Sequence, residues 1–74
     1  MYKYLTIKEK LFHEDVGKYT SYGIVCINAE TGEQVDKISD VSVERDFVTA
    51  LAEKFTRHSL SPLHFFDAVV DALE

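Results

Sequence analysis

The sequence predicts an α+β domain in which a three-stranded antiparallel β-meander is followed by two α-helices packed on one face of the sheet (βββαα). Two observations predict this order. Apolar and polar side chains alternate with a period of two in the first half of the chain, and from Ser42 onward the apolar side chains recur at the spacing of a helix. The length of 74 residues suits one hydrophobic core, so we expect a single domain over residues 1–74.

Three strands are predicted before the helices. Residues 3–12 alternate in polarity, and the polar segment that follows, 13–18, is predicted to be a loop closed by a glycine. Residues 19–28 are rich in aromatic and β-branched side chains, which favour strands. A four-residue connection at 29–32 then leads into a shorter third strand, from about Glu33 to Ile38.

Two helices are predicted in the second half of the chain. Ser42 is a favourable N-cap for a first helix over residues 43–57, whose first turn is acidic. The pair Ser61-Pro62 combines an N-cap with proline at the first helical position, and it predicts a second helix from Pro62 to about Leu73. Apolar side chains occupy most of the circumference of this second helix: Leu63, Phe65, Phe66, Val69, Val70 and Leu73.

The lengths of the two loops set a register for the sheet. A six-residue first loop places Phe12 opposite Tyr19, and a four-residue second loop places Asn28 opposite Glu33. In this register the more aliphatic face, which we assign to the helices, consists of Leu5, Ile7, Leu11, Tyr22, Ile24, Cys26 and Val35. The opposite face is too apolar to meet only water, and its apolar side chains form the candidate interface: Tyr4, Phe12, Tyr19, Val25, Ile27 and Ile38.

Composition and charge favour a partner other than nucleic acid. The chain has 13 acidic and 8 basic residues, for a net charge of -5, and the basic residues are scattered along it. Nonspecific affinity for nucleic acid depends on clustered lysine and arginine. A protein or small-molecule partner is therefore the better expectation, and a protein partner could be a second copy of the chain in a homodimer.

The location expected from the sequence is the cytoplasm. The single cysteine, Cys26, lies in an apolar run and cannot form an internal disulfide, so we expect a buried and reduced thiol. The N-terminal segment lacks the basic and apolar regions of a signal peptide, and no segment approaches the roughly 20 apolar residues of a membrane span.

No residue pattern predicts catalysis, a cofactor or a dedicated metal site. The three glycines do not form a phosphate-binding loop, and Cys26 has apolar neighbours rather than an activating base. One weak candidate polar site lies on the second helix, where His64, Asp67 and Asp71 share one side. These side chains could hold a weakly bound divalent ion or orient the histidine, but the polar side of an amphipathic helix is the simpler interpretation.

Three turn and helix-cap segments resemble a known family. They are Thr31-Gly32-Glu33, Ile38-Ser39-Asp40-Val41-Ser42 and Leu60-Ser61-Pro62-Leu63-His64. These segments are similar to a family of small uncharacterised Firmicutes proteins, and the similarity extends over nearly the whole chain. The resemblance implies a bacterial, cytoplasmic protein. Because the family has no assigned activity, the resemblance implies no functional residue.

The function expected from the sequence is that of a small non-enzymatic protein-interaction or regulatory module. Its contact surface would be the candidate interface on the sheet, which a symmetric dimer could cover, or the helix at 62–73. The alternative is a small-ligand-binding domain, with the ligand between sheet and helices and with His64 or Tyr22 as a polar contact.

Overall fold

The computed structural model describes residues 1–74 and confirms the predicted order of three strands and two helices. The sheet is antiparallel with strand order β1-β2-β3, so each strand pairs with the next one along the chain. Neither helix has the length and the apolar character that a membrane-spanning helix requires. The elements are β1 (Tyr2–His13), β2 (Gly17–Asn28), β3 (Gln34–Ser42), α1 (Arg45–Arg57), a 3-10 turn (Pro62–His64) and α2 (Phe65–Leu73).

The first hairpin turns through three residues, 14–16, and not through the predicted six. The N–H of Val16 donates to the carbonyl of His13 at 3.1 Å, and Gly17 closes the turn with a φ of 82°. The left-handed residue directly follows the turn, and glycine adopts that conformation without steric cost. The predicted loop was too long because the polar residues on either side of the turn continue the two strands.

The shorter turn shifts the register by one residue and reverses the faces of β1 relative to β2. Tyr4 lies opposite Cys26, so the even-numbered side chains of β1 face the helices. Tyr4 is only 3% exposed and belongs to the core. Its predicted place in the candidate interface was wrong. For the same reason, the predicted assignment to the helix-covered face was wrong for three side chains: Leu5, Ile7 and Leu11.

The second hairpin follows the prediction at its base and departs from it further along. The N–H of Asn28 donates to the carbonyl of Glu33 at 2.8 Å, as the four-residue loop predicts. β3 then continues to Ser42, with two register shifts against β2. Ile38 lies opposite Ile24 and packs against the core. Its predicted place in the candidate interface was wrong, because a register shift moves its side chain to the helix-covered side.

The first helix begins at Arg45, later than predicted. Ser42 is the last residue of β3 and not the N-cap, although its Oγ accepts a hydrogen bond from the N–H of Glu44 at 3.0 Å. Glu44 occupies the N-cap position without a side-chain cap of its own. The predicted cap was wrong because the strand extends to the residue at which the helix was expected to start. The buried side of α1 consists of Val48, Leu51, Ala52 and Phe55.

The core is centred on Tyr4, whose ring packs edge-on against two phenylalanines. The ring centroid of Tyr4 lies 5.6 Å from that of Phe55 and 5.0 Å from that of Phe65. Its hydroxyl donates to the carbonyl of Leu60 at 2.6 Å, and burial raises the pKa of Tyr4. One side chain of β1 therefore joins the sheet to α1, to α2 and to the segment between the helices.

Threonines of α1 hold the helix along the outer edge of β1. Thr56 Oγ1 accepts from the N–H of Tyr4 at 2.8 Å, and it lies 3.2 Å and 3.0 Å from the carbonyl oxygens of Tyr4 and Ala52, either of which can accept its proton. Two turns earlier in α1, the hydroxyl of Thr49 accepts from that of Thr6 at 3.2 Å. Because β1 is an edge strand, the contacts of Thr56 with Tyr4 satisfy part of its unpaired backbone.

Both helices lie on the same face of the sheet. Phe65 and Val69 of α2 are buried in one cluster with Ile24 of β2 and with the buried side of α1. Cys26 is fully buried in this cluster and unpaired, as predicted. The opposite face of the sheet, which we call the open face, carries no helix.

The start of the second helical segment is capped as predicted. The Oγ of Ser61 accepts from the N–H of Leu63 at 3.3 Å, and Pro62 begins a 3-10 turn that continues into α2. This cap fixes the direction in which the chain enters α2 after its contact with Tyr4.

Replacing Ser61 with alanine should lower the free energy of unfolding by about 1 kcal/mol, because the N–H of Leu63 loses its acceptor. Urea denaturation of the variant and the wild type measures the difference. Ser61→Asn keeps a side-chain acceptor and serves as the control, with a stability close to that of the wild type. Equal stability of the alanine variant and the wild type would contradict the assigned cap.

Candidate functional site

α2 and the 3-10 turn before it present a row of large apolar side chains to solvent, which we call the α2 stripe. The helix is apolar around most of its circumference, and the core takes only the side that bears Phe65 and Val69, together with two alanines. The spacing of the remaining apolar side chains places them together on another side of the helix. They are Leu63 (87% exposed), Phe66 (64%), Val70 (36%) and Leu73 (52%).

An acidic strip borders the α2 stripe. Asp67, Asp71 and Glu74 are exposed, and none of them forms an ion pair within the chain. His64, which completes the predicted polar site with Asp67 and Asp71, lies in the 3-10 turn and is also exposed. No three His, Cys, Asp or Glu side chains are grouped so as to hold a metal ion. Residues 58–74 contain no lysine or arginine, so the formal charges on α2 and on the segment that leads into it are all negative.

The open face of the sheet carries only part of the predicted candidate interface. The alternation of β2 places Tyr19, Val25 and Ile27 on this face. Phe12 is 70% exposed, but its register places it on the helix-bearing side, beyond the helices. Its predicted place on the open face was wrong for the same reason as that of Tyr4. Val25, at the centre of the open face, is only 7% exposed although no helix covers that face.

A polar network crosses the open face from β1 to β3, and we call it the Glu9 network. The carboxylate of Glu9 accepts from Ser39 Oγ at 2.7 Å and from the N–H of Asp40 at 2.9 Å, and it lies 3.6 Å from Lys37 Nζ. Burial raises the pKa of Glu9, but these three contacts outweigh burial and hold the pKa below its usual value. Glu9 therefore links the two edge strands across β2.

Gly23 of β2 has no side chain and therefore leaves space for the Glu9 network. A Cβ atom at Gly23 would lie 2.5 Å from the carbonyl oxygen of Ile38 and 2.9 Å from a carboxylate oxygen of Glu9. Only glycine lets the backbone of β3 and the side chain of Glu9 approach β2 this closely.

Asp40 is the second centre of the network. Its φ of 53° is left-handed, and it lies at the register shift between β2 and β3. Its carboxylate accepts from the hydroxyl of Ser21 at 2.5 Å and from that of Tyr19 at 2.8 Å, and these hydrogen bonds lower the pKa of Asp40. The bond to Asp40 also raises the pKa of Tyr19. Every buried side-chain polar atom in the molecule has a hydrogen-bond partner, so the network leaves no buried polar group free for a ligand. We therefore interpret the network as structural: it stabilises the irregular end of β3.

An open groove lies between β1 and α1 on the helix-bearing side. Lys8 and Arg45 bring two positive charges to it, Glu53 brings one negative charge, and Tyr22 lines it as well. The sequence predicted Tyr22 or His64 as a polar contact for a ligand between sheet and helices. Tyr22 does lie in this groove, whereas His64 is not among the residues that line it.

Neither the Glu9 network nor the outward direction of the α2 stripe was predicted from the sequence. The available signal for the network is Gly23, because a glycine inside an apolar strand commonly marks a bulge or a close backbone approach. The α2 stripe is part of a helix that is apolar on most sides, so its sequence pattern leaves open which of those sides faces the core.

One protein-family model, described as "Family of unknown function (DUF6514)", matches residues 1–74. The chain belongs to this family. No curated protein and no solved structure matches it. The resemblance to an uncharacterised family is thus confirmed, and membership of DUF6514 assigns neither an activity nor a functional residue.

In this DUF6514 protein, Gly23→Ala should lower the free energy of unfolding by about 1–3 kcal/mol, because the added methyl group forces β3 or Glu9 to move. Chemical denaturation measures the loss. Thr20→Ala, at an exposed position of the same strand, is the control and should change stability by about 0.5 kcal/mol or less. An unchanged stability of Gly23→Ala would show that the close approach is relieved without cost.

The stability of the DUF6514 protein should depend on the charge of Glu9. Because the folded pKa of Glu9 is lowered from 4.5, its carboxylate stabilises the fold above that pH, and this contribution is lost as the pH falls through the folded pKa. Glu9→Gln should therefore be less stable than the wild type at neutral pH, and the difference should shrink in acid. Urea denaturation at neutral and acidic pH measures both differences.

Glu14→Gln is the matched control for this experiment, because Glu14 is exposed in the first turn. It should follow the wild type at both pH values. A difference between Glu9→Gln and the wild type that stays constant with pH would show that the Glu9 network contributes through packing and not through charge.

Proposed function

We propose that the chain is a non-enzymatic protein-interaction module whose contact surface is the α2 stripe. The observation that carries the proposal is the exposure of Phe66, Val70 and Leu73 on α2, and of Leu63 in the turn before it, while another side of α2 is in the core. Small proteins rarely leave such a contiguous apolar row in water unless it contacts a partner. An apolar helix side is also a common recognition element, because it fits into a groove of the partner.

The α2 stripe is better supported as the contact surface than the open face of the sheet. Val25 is already shielded at the centre of the open face, and the Glu9 network occupies part of that face with paired polar groups. The side chains of the α2 stripe, in contrast, are all exposed and follow one another every three or four residues. Binding energy in protein interfaces is concentrated in such projecting anchors, especially aromatic ones such as Phe66.

A small-ligand-binding domain is the second candidate function, and the groove between β1 and α1 favours it. Lys8, Arg45 and the hydroxyl of Tyr22 could together bind an anionic small molecule there. Thermal denaturation in the presence of small carboxylates and phosphates tests this candidate, since a bound ligand raises the melting temperature of the wild type. The same ligand should leave Arg45→Ala unaffected.

The proposal also covers the origin of the protein, its location in the cell and the kind of partner it binds. A Firmicutes origin and a cytoplasmic location are supported by the resemblance, and the location also by the unpaired, buried Cys26. The proposed role requires no cofactor and no catalytic step. The net charge of -5 supports a protein partner, including a second copy, over nucleic acid.

Affinity capture of the tagged protein from its native lysate, followed by mass spectrometry, tests the proposed function. Phe66→Ser with Val70→Ser should reduce the captured partner by roughly thirtyfold, because removing a central anchor costs about 2 kcal/mol of binding free energy. Leu5→Thr with Ile7→Thr, on the open face, is the control and should capture the partner as the wild type does. The reverse result would place the contact surface on the open face.

A further inference from the structure

The first hairpin extends beyond the rest of the sheet and carries a basic face. Pairing with β3 ends at Tyr22, so residues 9–21 form a two-stranded arm. The unbroken alternation of the arm places one set of side chains on its helix-bearing side, and we call this set the basic face. It consists of Lys8 at the base of the arm, where it lines the groove beside α1, and of Lys10, Phe12 and Lys18 further along, all of them exposed.

The three lysines of the basic face form no ion pair within the chain. The arm contains three acidic residues: Glu9 is engaged on the open face, and Glu14 and Asp15 lie at the tip in the turn. Lysines and a solvent-exposed phenylalanine on one side of a strand pair therefore form a cationic and aromatic surface.

The basic face and the surface around α2 are complementary in charge and in spacing. Lys8 and Lys10 are about 7 Å apart along an extended strand, and Asp67 and Asp71 are about 6 Å apart along a helix. If Lys8 meets Asp71 and Lys10 meets Asp67, Phe12 reaches the end of the α2 stripe. One surface thus supplies two cations and an aromatic ring, and the other supplies two carboxylates and an apolar row.

We propose that the occupant of the α2 stripe is the hairpin arm of a second copy of the chain. The arm docks with Phe12 on the α2 stripe and with Lys8 and Lys10 against Asp71 and Asp67. In a twofold symmetric dimer the arm of each copy packs against α2 of the other copy, and the two arm–α2 contacts are equivalent. This inference rests on the proposed function, because it uses the α2 stripe as the contact surface.

Sedimentation equilibrium with charge-reversed variants tests the arm-docked dimer. The wild type should have twice the monomer mass at about 0.05 M salt and a lower mass at about 0.5 M, because salt screens the exposed charge pairs. Lys8→Glu with Lys10→Glu should be monomeric, and so should Asp67→Lys with Asp71→Lys. An equimolar mixture of these two variants should recover the dimer. In the mixed dimer the reversed arm meets the reversed α2, and the unchanged arm meets the unchanged α2.

The control variant is Lys3→Glu with Lys54→Glu, which changes the net charge by the same amount as Lys8→Glu with Lys10→Glu. Both positions are exposed and lie outside the two surfaces, so this variant should remain a dimer. Circular dichroism of each variant shows that it is folded. A wild type that is monomeric at low salt, or a dimer that both reversals leave intact, would overturn the inference. A mixture that stays monomeric would also overturn it. In each of these cases, loss of a captured partner on Phe66→Ser with Val70→Ser would show that the α2 stripe still binds another protein.

Discussion

The left-handed conformation of Gly17 fixes the three-residue turn of the first hairpin, and the faces of the whole sheet depend on that turn. It pairs Tyr4 with Cys26, which directs the Tyr4 ring into the space between sheet and helices. There the ring contacts Phe55 and Phe65, while its hydroxyl reaches the carbonyl of Leu60. A turn longer by one residue would present Leu5 to the helices instead, and the aromatic centre of the core would be lost.

The order of elements could be predicted from the sequence because it depends on local periodicity and on caps such as Ser61-Pro62. The second hairpin was also predictable at its base, since Asn28 and Gly32 form a compact loop. The faces of β1 could not be predicted, because polar residues near a turn suit a loop and a strand equally well. The end of β3 was missed because it depends on contacts of Asp40 with residues distant in the sequence, among them Glu9 and Tyr19.

The α2 stripe is exposed because this small protein has more large apolar side chains than its core can bury. α2 has more large apolar side chains than one side of the sheet can cover, because α1 already packs over the sheet through Val48 and Phe55. Phe65 and Val69 take the remaining space, and the α2 stripe is left outside. The helical spacing predicts that these side chains share a helix, but only the packing of the neighbouring elements decides which of them remain in water.

The position of Tyr4 also has a consequence for folding during synthesis. Its hydroxyl is bonded to Leu60, 56 residues further along the chain, and its ring packs against Phe65 from α2. Both hairpins connect neighbouring strands and can form while the chain is still being translated, because their contacts are local in sequence. The core cannot close until the ribosome has released most of the C-terminal helix. A nascent sheet would therefore expose Tyr4, Ile24 and Cys26 to the surrounding solution until α2 is available to cover them.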